Sequence, residues 1–496
     1  MQLRMRAILL AGLALPALAA LPARADTLRE ALAQTYLTNP TLQAARAQQR
    51  AIDENVPIEK ASGRPNVSSQ VTYNEAVKKS PNSFTSPDRT LDADISLGVP
   101  IYSGGAVKNS VRAAKERVEA GQADLRGTES AIFSQVVAAY MDVILNQAIV
   151  GLNRNQVDVL GVNVRATSDR FEIGDLTRTD VAQSQARLAL ARGDSRTAEA
   201  NLISARERYI ELVGEAPDDL QPPPPLPNLP TSAQQAVDIA LQNNPDLIAA
   251  IERVDAAQYD IEVAGASRLP SVDLYSSGAY RDYFGTLGGG TLDPSNFKQS
   301  ETTAQVGARV QIPIFQGGRP AALRRQAQAL AGAAMEQAIA VERDVIAQTR
   351  AAWSSWIAAQ ELIAANGSAV DAAALSLEGV RAENSVGNRT ILNILDAEQE
   401  LLSARVRLAT AQRNAYVAGF SLLAAMGRAE ARDLNLDTGV LYDPDVNYER
   451  VDGKWFDWEN DPAPVAQSTR TVDTPVQSSE IREEDKDAVL GGQFDE

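Results

Sequence analysis

The feature that most constrains this chain is an internal repeat. The hexapeptide Pro-Ile-Tyr-Ser-Gly-Gly at 100–105 returns as Pro-Ile-Phe-Gln-Gly-Gly at 313–318, which is 213 residues later. Five matches in chain order support a duplication: Asn39 with Asn244, Pro65 with Pro270, Pro100 with Pro313, Gly174 with Gly387, and Gly214 with Gly427. Their spacing changes once, from 205 to 213, so one eight-residue insertion separates two otherwise colinear halves. A repeat of this kind predicts two copies of one structural unit.

The repeat divides the 496 residues into six segments. They are a signal peptide at 1–25, a first repeat at 26–214, a Pro-rich linker at 215–230, a second repeat at 231–427, a C-terminal segment at 428–459 and an acidic tail at 460–496. The linker contains four consecutive prolines, which cannot continue a helix. The tail is polar and charged, so we expect it to be disordered.

The first 25 residues have the pattern of a secretory signal. Arg4 and Arg6 precede a short apolar run at 7–21, and Ala23-Arg24-Ala25 places small residues where a signal peptidase reads them. We found no later uncharged apolar window of about 20 residues, the length that a transmembrane helix needs. We therefore expect a mature chain that leaves the cytoplasm without a transmembrane helix.

Composition excludes several classes of function. The chain has no Cys and no His, so disulfides, thiolate metal sites and the commonest general base are absent. The net charge is −17, and residues 429–496 carry 18 acidic and 6 basic side chains. An acidic surface argues against a nucleic-acid partner, and no phosphate-binding Gly-x-x-x-x-Gly-Lys loop is present. We predict no cofactor, no metal and no catalytic residue.

Each repeat contains two runs in which apolar and polar residues alternate. Residues 91–99 and 302–312 alternate clearly, and 67–73 and 272–280 alternate more loosely. A period of two indicates strands with one apolar and one polar face. Each repeat also opens with a predicted helix, at 27–56 and at 231–264, and Pro40 and Pro245 indicate a short turn before its main part.

A change of period follows each hexapeptide. The stretches of about 65 residues that follow 105 and 318 are each predicted to form one very long helix, or two nearly fused helices. Shorter helices are predicted to return at 179–213 and 391–426. Helices of roughly 100 Å belong to coiled coils or helical barrels. The junction residues have distinct roles: a proline ends the strand and a glycine pair turns the chain, at Pro100, Gly104, Gly105, Pro313, Gly317 and Gly318.

Four strands are too few to close a barrel around a lumen. If the sheet spans a membrane, the chain must therefore oligomerise, because open edges leave backbone amides unsatisfied in lipid. The alternative is a water-exposed sheet whose apolar face packs on a helix.

The sequence resembles the TolC-type outer-membrane efflux and secretion channels of Gram-negative bacteria over residues 27–427. The resemblance rests on the twofold repeat, on both hexapeptides, and on the turns FEIGDLTRTDV at 171–181 and NSVGNRTILNILDAEQELL at 384–402. It implies a homotrimer with a 12-stranded outer-membrane β-barrel on a 12-helix periplasmic α-barrel. It also implies a passive exit duct of a type I secretion or multidrug efflux system.

The resemblance further implies partners and a gate. The partners are outer-membrane lipid, a periplasmic adaptor, and an inner-membrane pump of the ABC or RND type. The positions matching the family's gate links are Thr179, Asp180, Asn384 and Arg389, with Arg389 expected to bridge to Asp180-type acceptors. The constriction matches Asp396 and Asn393, where Asn393 stands in place of a second aspartate and Asn384 in place of an aromatic residue.

Plainer roles for these residues stay open. Asp180 lies in a first helical turn, where an acid is favoured by the helix dipole. Arg389 and Thr390 have positions suited to capping a turn, and Asp396 is equally suited to a solvated helix face. The rival functions are a periplasmic coiled-coil adaptor without a barrel and a carboxylate-based secreted hydrolase.

Overall fold

The computed structural model describes residues 27–79, 86–288, 293–436, 439 and 441–481. The predicted signal peptide and the acidic run at 483–485 lie outside these residues. The described chain is mainly helical and carries one four-stranded sheet. The helices are α1 Leu28–Thr38, α2 Pro40–Asp53, α3 Asn55–Ala61, α4 Ala106–Glu172, α5 Arg178–Val213, α6 Ala233–Asn243, α7 Pro245–Ala266, α8 Arg319–Ser385, α9 Ile391–Ala425 and α10 Pro444–Asp452.

The four strands form an antiparallel meander in the order β1-β2-β3-β4. Their bounds are β1 Asn66–Glu75, β2 Arg89–Tyr102, β3 Ser271–Asp282 and β4 Ser300–Gln311. Each repeat contributes one hairpin, and β2 pairs with β3 to join them. All four predicted strands are present, each within about three residues of its predicted bounds.

The two faces of the sheet differ in chemistry, as the alternation predicted. The register pairs Val67 with Leu97 and Val71 with Ala93 on one face. The other face carries polar groups, including an ion pair between Arg281 and Asp92. Val71 and Val306 on the apolar face are 68% and 86% exposed, so no helix of the described chain covers this face. The alternative in which the apolar face packs on a helix is therefore wrong for the single chain.

Each opening segment is divided at the proline, as predicted, but the part before the proline is an 11-residue helix and not a short turn. Pro40 and Pro245 each occupy the first position of a second helix, where a missing N–H costs nothing. The residue before each proline caps the new helix: Asn39 accepts hydrogen bonds from the next helix's first turn, and Asn244 does the same. A third helix, α3, precedes β1.

The same two asparagines fasten the start of each repeat to its end. The amide of Asn39 donates to the carbonyl of Leu212 at 2.9 Å, at the end of α5. The amide of Asn244 donates to the carbonyl of Ala425 at 3.0 Å, at the end of α9. Gly214 follows α5 with a φ of +89°, and Gly427 follows α9 with a φ of +68°, so both helices end where the repeat predicts.

The long helices α4 and α8 each have 67 residues and each pairs with its own returning helix. The main hydrophobic core lies around the middle of α4, where Phe133, Val137 and Tyr140 are fully buried. The linker crosses this region, because the Tyr140 hydroxyl donates to the carbonyl of Gln221 at 2.5 Å. Among the described helices, α4 alone is long and apolar enough to cross a membrane, and 44% of its apolar window is buried inside the chain. A core helix meets the same criterion.

The C-terminal segment runs from the central core toward the sheet. Helix α10 packs on α2, where Asn447 donates to Asp53 at 2.6 Å. The described part of the tail forms one 3-10 turn, Thr471–Asp473, and is otherwise irregular. Arg206 of α5 donates to the carbonyls of Ser478 and Glu480. These hydrogen bonds tie the described tail to α5, because its carbonyl groups satisfy a largely buried guanidinium.

Candidate functional site

The end of the molecule farthest from the sheet is formed by two turns at equivalent positions of the repeat. One connects α4 to α5 through Gly174, and the other connects α8 to α9 through Gly387. Their φ angles are +84° and +82°, a conformation that glycine adopts without a steric penalty. Both turns are exposed, so their polar side chains are held mainly by one another.

Each returning helix begins with the same reciprocal capping arrangement. In the first repeat, Asp180 accepts hydrogen bonds from the backbone N–H and the hydroxyl of Thr177, at 2.9 and 2.7 Å. In the second, Asn393 accepts from the same two groups of Thr390, at 3.1 and 2.8 Å. The hydrogen bonds from Thr177 lower the pKa of Asp180. Asp180 and Asn393 are thus equivalent residues that fix the first helical turn.

Each turn carries one ion pair, and the order of the basic and acidic residues along the chain is reversed between the two turns. Arg170 precedes the first turn and pairs with Asp175 inside it, at 2.6 Å. In the second turn the acid comes first, because Glu383 pairs with Arg389 at 2.6 Å. Asn384 adds a hydrogen bond from its amide to the carbonyl of Arg389 at 2.7 Å. Arg389 is therefore held from both sides within its own turn.

Asp396 lies one helical turn beyond Asn393 and joins the two repeats. Its carboxylate accepts from the guanidinium of Arg187 on α5 at 2.6 Å. The Arg187 side chain is 37% exposed and that of Asp396 is 55% exposed. Because both groups reach water, this is a link of modest strength, worth about 0.2–1 kcal/mol.

The structure brings together some of the predicted gate residues and separates others. Asn384 and Arg389 are in contact, whereas Arg389 pairs with Glu383 and not with Asp180 within the described part of one chain. Thr179 is exposed beside Asp180. The expected bridge from Arg389 to Asp180 is therefore not a contact within one chain.

Sequence reasoning missed Arg187 and Glu383. Glu383 is the counterpart of Arg170 under the 213-residue spacing, so comparing charges at equivalent turn positions is a signal that finds it. Arg187 carries no such signal, because its partner lies 209 residues away in the other repeat. Only packing of α5 beside α9 brings these two together.

At the opposite end of the long helices lie the two strand-helix junctions. Pro100 pairs with Asp273 near the end of β2, and Gly105 directly precedes α4 with a φ of +84°. In the second repeat Gly318 directly precedes α8 with a φ of +79°, and Pro313 lies just beyond β4. The preceding glycines, Gly104 and Gly317, also have positive φ angles, of +65° and +60°.

The two junctions differ in their surroundings. A Cβ on Gly104 would lie 2.8 Å from the carbonyl oxygen of Ala266 at the end of α7, so no side chain fits there. Gly317 has open space around it. At the first junction, glycine is favoured both by its positive φ angle and by the close approach of the α7 backbone. At the second junction, only the positive φ angle favours glycine.

Comparison with known proteins decides the family. The outer membrane efflux protein family profile matches residues 31–215 and 236–428, which together exceed half of the chain. The chain belongs to this family. It is 35% identical over 450 residues to the outer membrane efflux protein BepC of Brucella suis, covering 91% of this chain and 95% of BepC.

Other relatives agree with this assignment. The outer membrane protein TolC of Escherichia coli K12 is 27% identical over 488 residues, covering 93% of this chain and 96% of TolC. The fold resembles that of the outer membrane protein VceC of Vibrio cholerae with a TM-score of 0.68, at 20% identity, covering 81% of this chain and 96% of VceC. The predicted resemblance to the TolC family is confirmed.

Family membership establishes the broad function. The chain is an outer-membrane channel protein of Gram-negative type with a periplasmic tunnel, and it is not an enzyme. The relatives are outer membrane efflux and protease secretion proteins, which excludes the hydrolase alternative.

Proposed function

We propose that three copies of this chain form one channel-tunnel. Its twelve strands close an outer-membrane β-barrel, and its long helices continue it as a twelve-helix periplasmic tunnel. The channel is the passive exit duct for a tripartite system in which an inner-membrane pump of the ABC or RND type supplies the energy. A periplasmic adaptor docks on the tunnel.

One observation carries this proposal: among the described residues, the sheet has an uncovered apolar face and two edge strands without a second partner. Its apolar face has no cover within the chain, with Val67, Val71 and Val306 all more than 60% exposed. Its outer strands β1 and β4 each pair on one side only among the described strands. Lipid satisfies an apolar face, and a neighbouring copy satisfies an open edge, so a closed trimeric barrel resolves both deficits.

The strand lengths and the position of the two junctions support the proposed orientation of the sheet in the membrane. Strands of 10 to 14 residues are long enough to supply the 9–11 residues that a tilted strand needs to cross a bilayer. Both hexapeptide junctions lie at the same end of the sheet, because all strand pairs are antiparallel and each repeat enters and leaves there. That end faces the periplasm, and the long helices extend from it.

Oligomeric state tests the barrel. The purified chain is expected to need detergent and to migrate as a trimer before heating and as a monomer after it. The rival periplasmic adaptor function predicts a chain that stays in solution without detergent and fractionates away from the outer membrane. That second result would overturn the proposed barrel.

We infer that the two turns at the far end form the gate, with Asp396 and Asn393 near the constriction. In the closed trimer, Arg389 and Thr179–Asp180 belong to links between neighbouring hairpins. The structure supports a refinement of this assignment, since Asp180 also caps α5 and an alanine would damage the helix start. Asparagine is the better probe, because Asn393 fills the equivalent position.

Single-channel recording tests the gate. The variant Arg389→Ser with Asp180→Asn is expected to show a larger conductance than the parent in a planar bilayer, because links between hairpins are lost while both caps remain. Arg170→Ser is the matched control, since it breaks the ion pair of the first turn only. A double variant that conducts like the parent and like the control would show that these residues do not close the channel.

Cation block tests the constriction. Three copies of Asp396 form a ring of carboxylates that binds polyvalent cations entering from the periplasmic side. Asp396→Asn is expected to abolish block by a trivalent cation. Arg187→Gln is expected to strengthen it, because Arg187 otherwise neutralises the carboxylate. Glu400→Gln, one turn further along α9, is the control. Equal block in Asp396→Asn and in the parent would refute the ring.

A further inference from the structure

An exposed aromatic loop lies between α10 and the tail, at 455–458. Trp455, Phe456 and Trp458 are 56%, 74% and 91% exposed. Large aromatic rings are the side chains that lose most by remaining in water, since each buries 150–250 Å² when covered. The loop therefore presents apolar area that nothing in the described chain covers.

The loop is held at the level where the sheet begins. Arg64 lies between α3 and β1, two residues before the first residue of β1. Its guanidinium donates to the carbonyl of Lys454 at 2.7 Å and lies 4.5 Å from the centre of the Trp455 ring. A second tie joins Lys60 of α3 to Asp452 at the end of α10. These contacts fix the aromatic loop beside the periplasmic end of β1.

Other exposed apolar side chains lie at the same end of the sheet. Ile101 and Tyr102 at the end of β2 are 58% and 48% exposed, and Phe315 in the second junction is 87% exposed. Tyrosine and tryptophan concentrate at both boundaries of membrane-spanning barrels, where a ring meets acyl chains and its polar atom meets water. The aromatic loop extends such a boundary away from the strands themselves.

The loop itself is acidic, at Asp457 and the adjoining Glu459, and two lysines and one arginine near it are paired with acids. Arg450 and Lys454 both contact Asp461, and Lys60 contacts Asp452. No surplus of positive charge is left to attract anionic headgroups, so the aromatic rings supply the membrane affinity. A zwitterionic lipid surface is sufficient for such a site.

We propose that the aromatic loop inserts Trp455, Phe456 and Trp458 into the periplasmic leaflet of the outer membrane and anchors the tunnel's upper rim to it. The proposal rests on the membrane-spanning orientation given under Proposed function. It adds a lipid contact made by the C-terminal segment, outside the strands.

The chain's own tryptophans allow a direct test. It has four, Trp353 and Trp356 in α8 and Trp455 and Trp458 in the loop. Trp353 lies 34 residues after the start of α8, so about 50 Å of helix separates it from the junction. Trp353→Phe with Trp356→Phe leaves only the loop tryptophans. Trp455→Phe with Trp458→Phe is the matched control that leaves only the tunnel pair.

The measurement is tryptophan fluorescence in phosphatidylcholine vesicles with and without bromine on the acyl chains. Brominated lipid is expected to reduce the emission of the loop tryptophans about twofold or more, as for rings at an interface, and to leave the tunnel pair unchanged. Should the Trp353→Phe, Trp356→Phe variant fail to fold, the difference between the parent and the control variant gives the same quantity.

Two outcomes would overturn the anchor. Quenching of the loop tryptophans by aqueous acrylamide but not by brominated lipid would place them in water. Quenching by neither would place them against a neighbouring copy. Conductance measured with the same protein separates this failure from failure of the proposed function: an open channel with unquenched rings rejects only the anchor, and a chain that forms no channel rejects both.

Discussion

The helices α4 and α8 are equivalent in sequence position and equal in length, yet the chain surrounds them differently. Of 67 residues each, α4 buries 22 and α8 buries six. Helix α4 packs against α5, α7, α9 and α2. Helix α8 packs against α9, α7 and α6, and most of its surface stays exposed in the single chain. The duplication therefore accounts for the equal lengths of the two helices, and their different neighbours account for their different burial.

Equivalent residues show the same contrast. Tyr140 in α4 is completely buried and donates a hydrogen bond to the linker. Its counterpart Trp353 packs beside Trp356 at the edge of the same core, with ring centres 5.3 Å apart. In the proposed trimer, a neighbouring copy packs on the exposed side of α8. The two repeats therefore differ because α4 is covered by its own chain and α8 is covered by a neighbour.

The largest effect is expected from removing a large core side chain from α4, the more buried of the two long helices. Phe133→Ala in α4 should lower the free energy of unfolding by about 3–5 kcal/mol, because Phe133 is fully buried. The counterpart Ile346→Ala in α8 should cost less, since Ile346 is only half-buried. Urea denaturation in detergent measures both. Equal losses would contradict the asymmetry.

The pH dependence of stability is the next test, and the repeat again supplies a control. Burial raises the pKa of Glu129 in α4 to about 7. The folded form then holds its proton more tightly than the unfolded form, so the free energy of unfolding should fall as pH rises from about 4.5 to 7. Glu129→Gln should remove this fall and stabilise the chain by about 2 kcal/mol at pH 8, with little change at pH 4.

Glu342, the counterpart in α8, is exposed. Glu342→Gln should therefore leave the pH profile of the parent unchanged. Glutamine at 129 keeps an acceptor for the N–H of Ala431, which donates to Glu129 at 2.6 Å. A Glu129→Gln variant with the parent's pH profile would show that this carboxyl does not carry the dependence.

A smaller effect is expected where the two repeats hold different segments. Arg206 of α5 binds the C-terminal tail, and its counterpart in α9 is Gly419, against which Leu226 of the linker packs. Arg206→Gln should loosen the tail by about 1.5 kcal/mol and raise trypsin cleavage after Arg470 about tenfold. Arg208→Gln is the control, since Arg208 pairs with the nearby Glu211. Unchanged cleavage would show that the tail is held elsewhere.

Regular elements were predictable because their signal is local. A period of two predicted all four strands, and the change of period after each hexapeptide predicted helices α4 and α8. The opening helices were predicted less well, because Pro40 and Pro245 start a new helix of substantial length after another one. The contact between Arg206 and the tail at 478–480 was not predicted, because the polar composition of the tail carries no signal for a partner on α5.

The candidate gate was predictable in position but not in pairing. The resemblance located both turns, and the caps formed by Asp180 and Asn393 follow from Thr at the start of a helix. The pairing of Asp396 with Arg187 depends on the distance between helices of different repeats. No spacing along the chain encodes that distance.

By itself, the sequence determined the twofold repeat, the amphipathic strands, the two glycine junctions and the family, because each is written in neighbouring residues or in their recurrence. Only the tertiary structure decided that α4 is more buried than α8, which charged group each candidate gate residue contacts, and that the aromatic loop lies beside β1. The physical reason is that burial and ion pairing depend on which distant surfaces come within a few ångströms, and identical local patterns are compatible with several such arrangements.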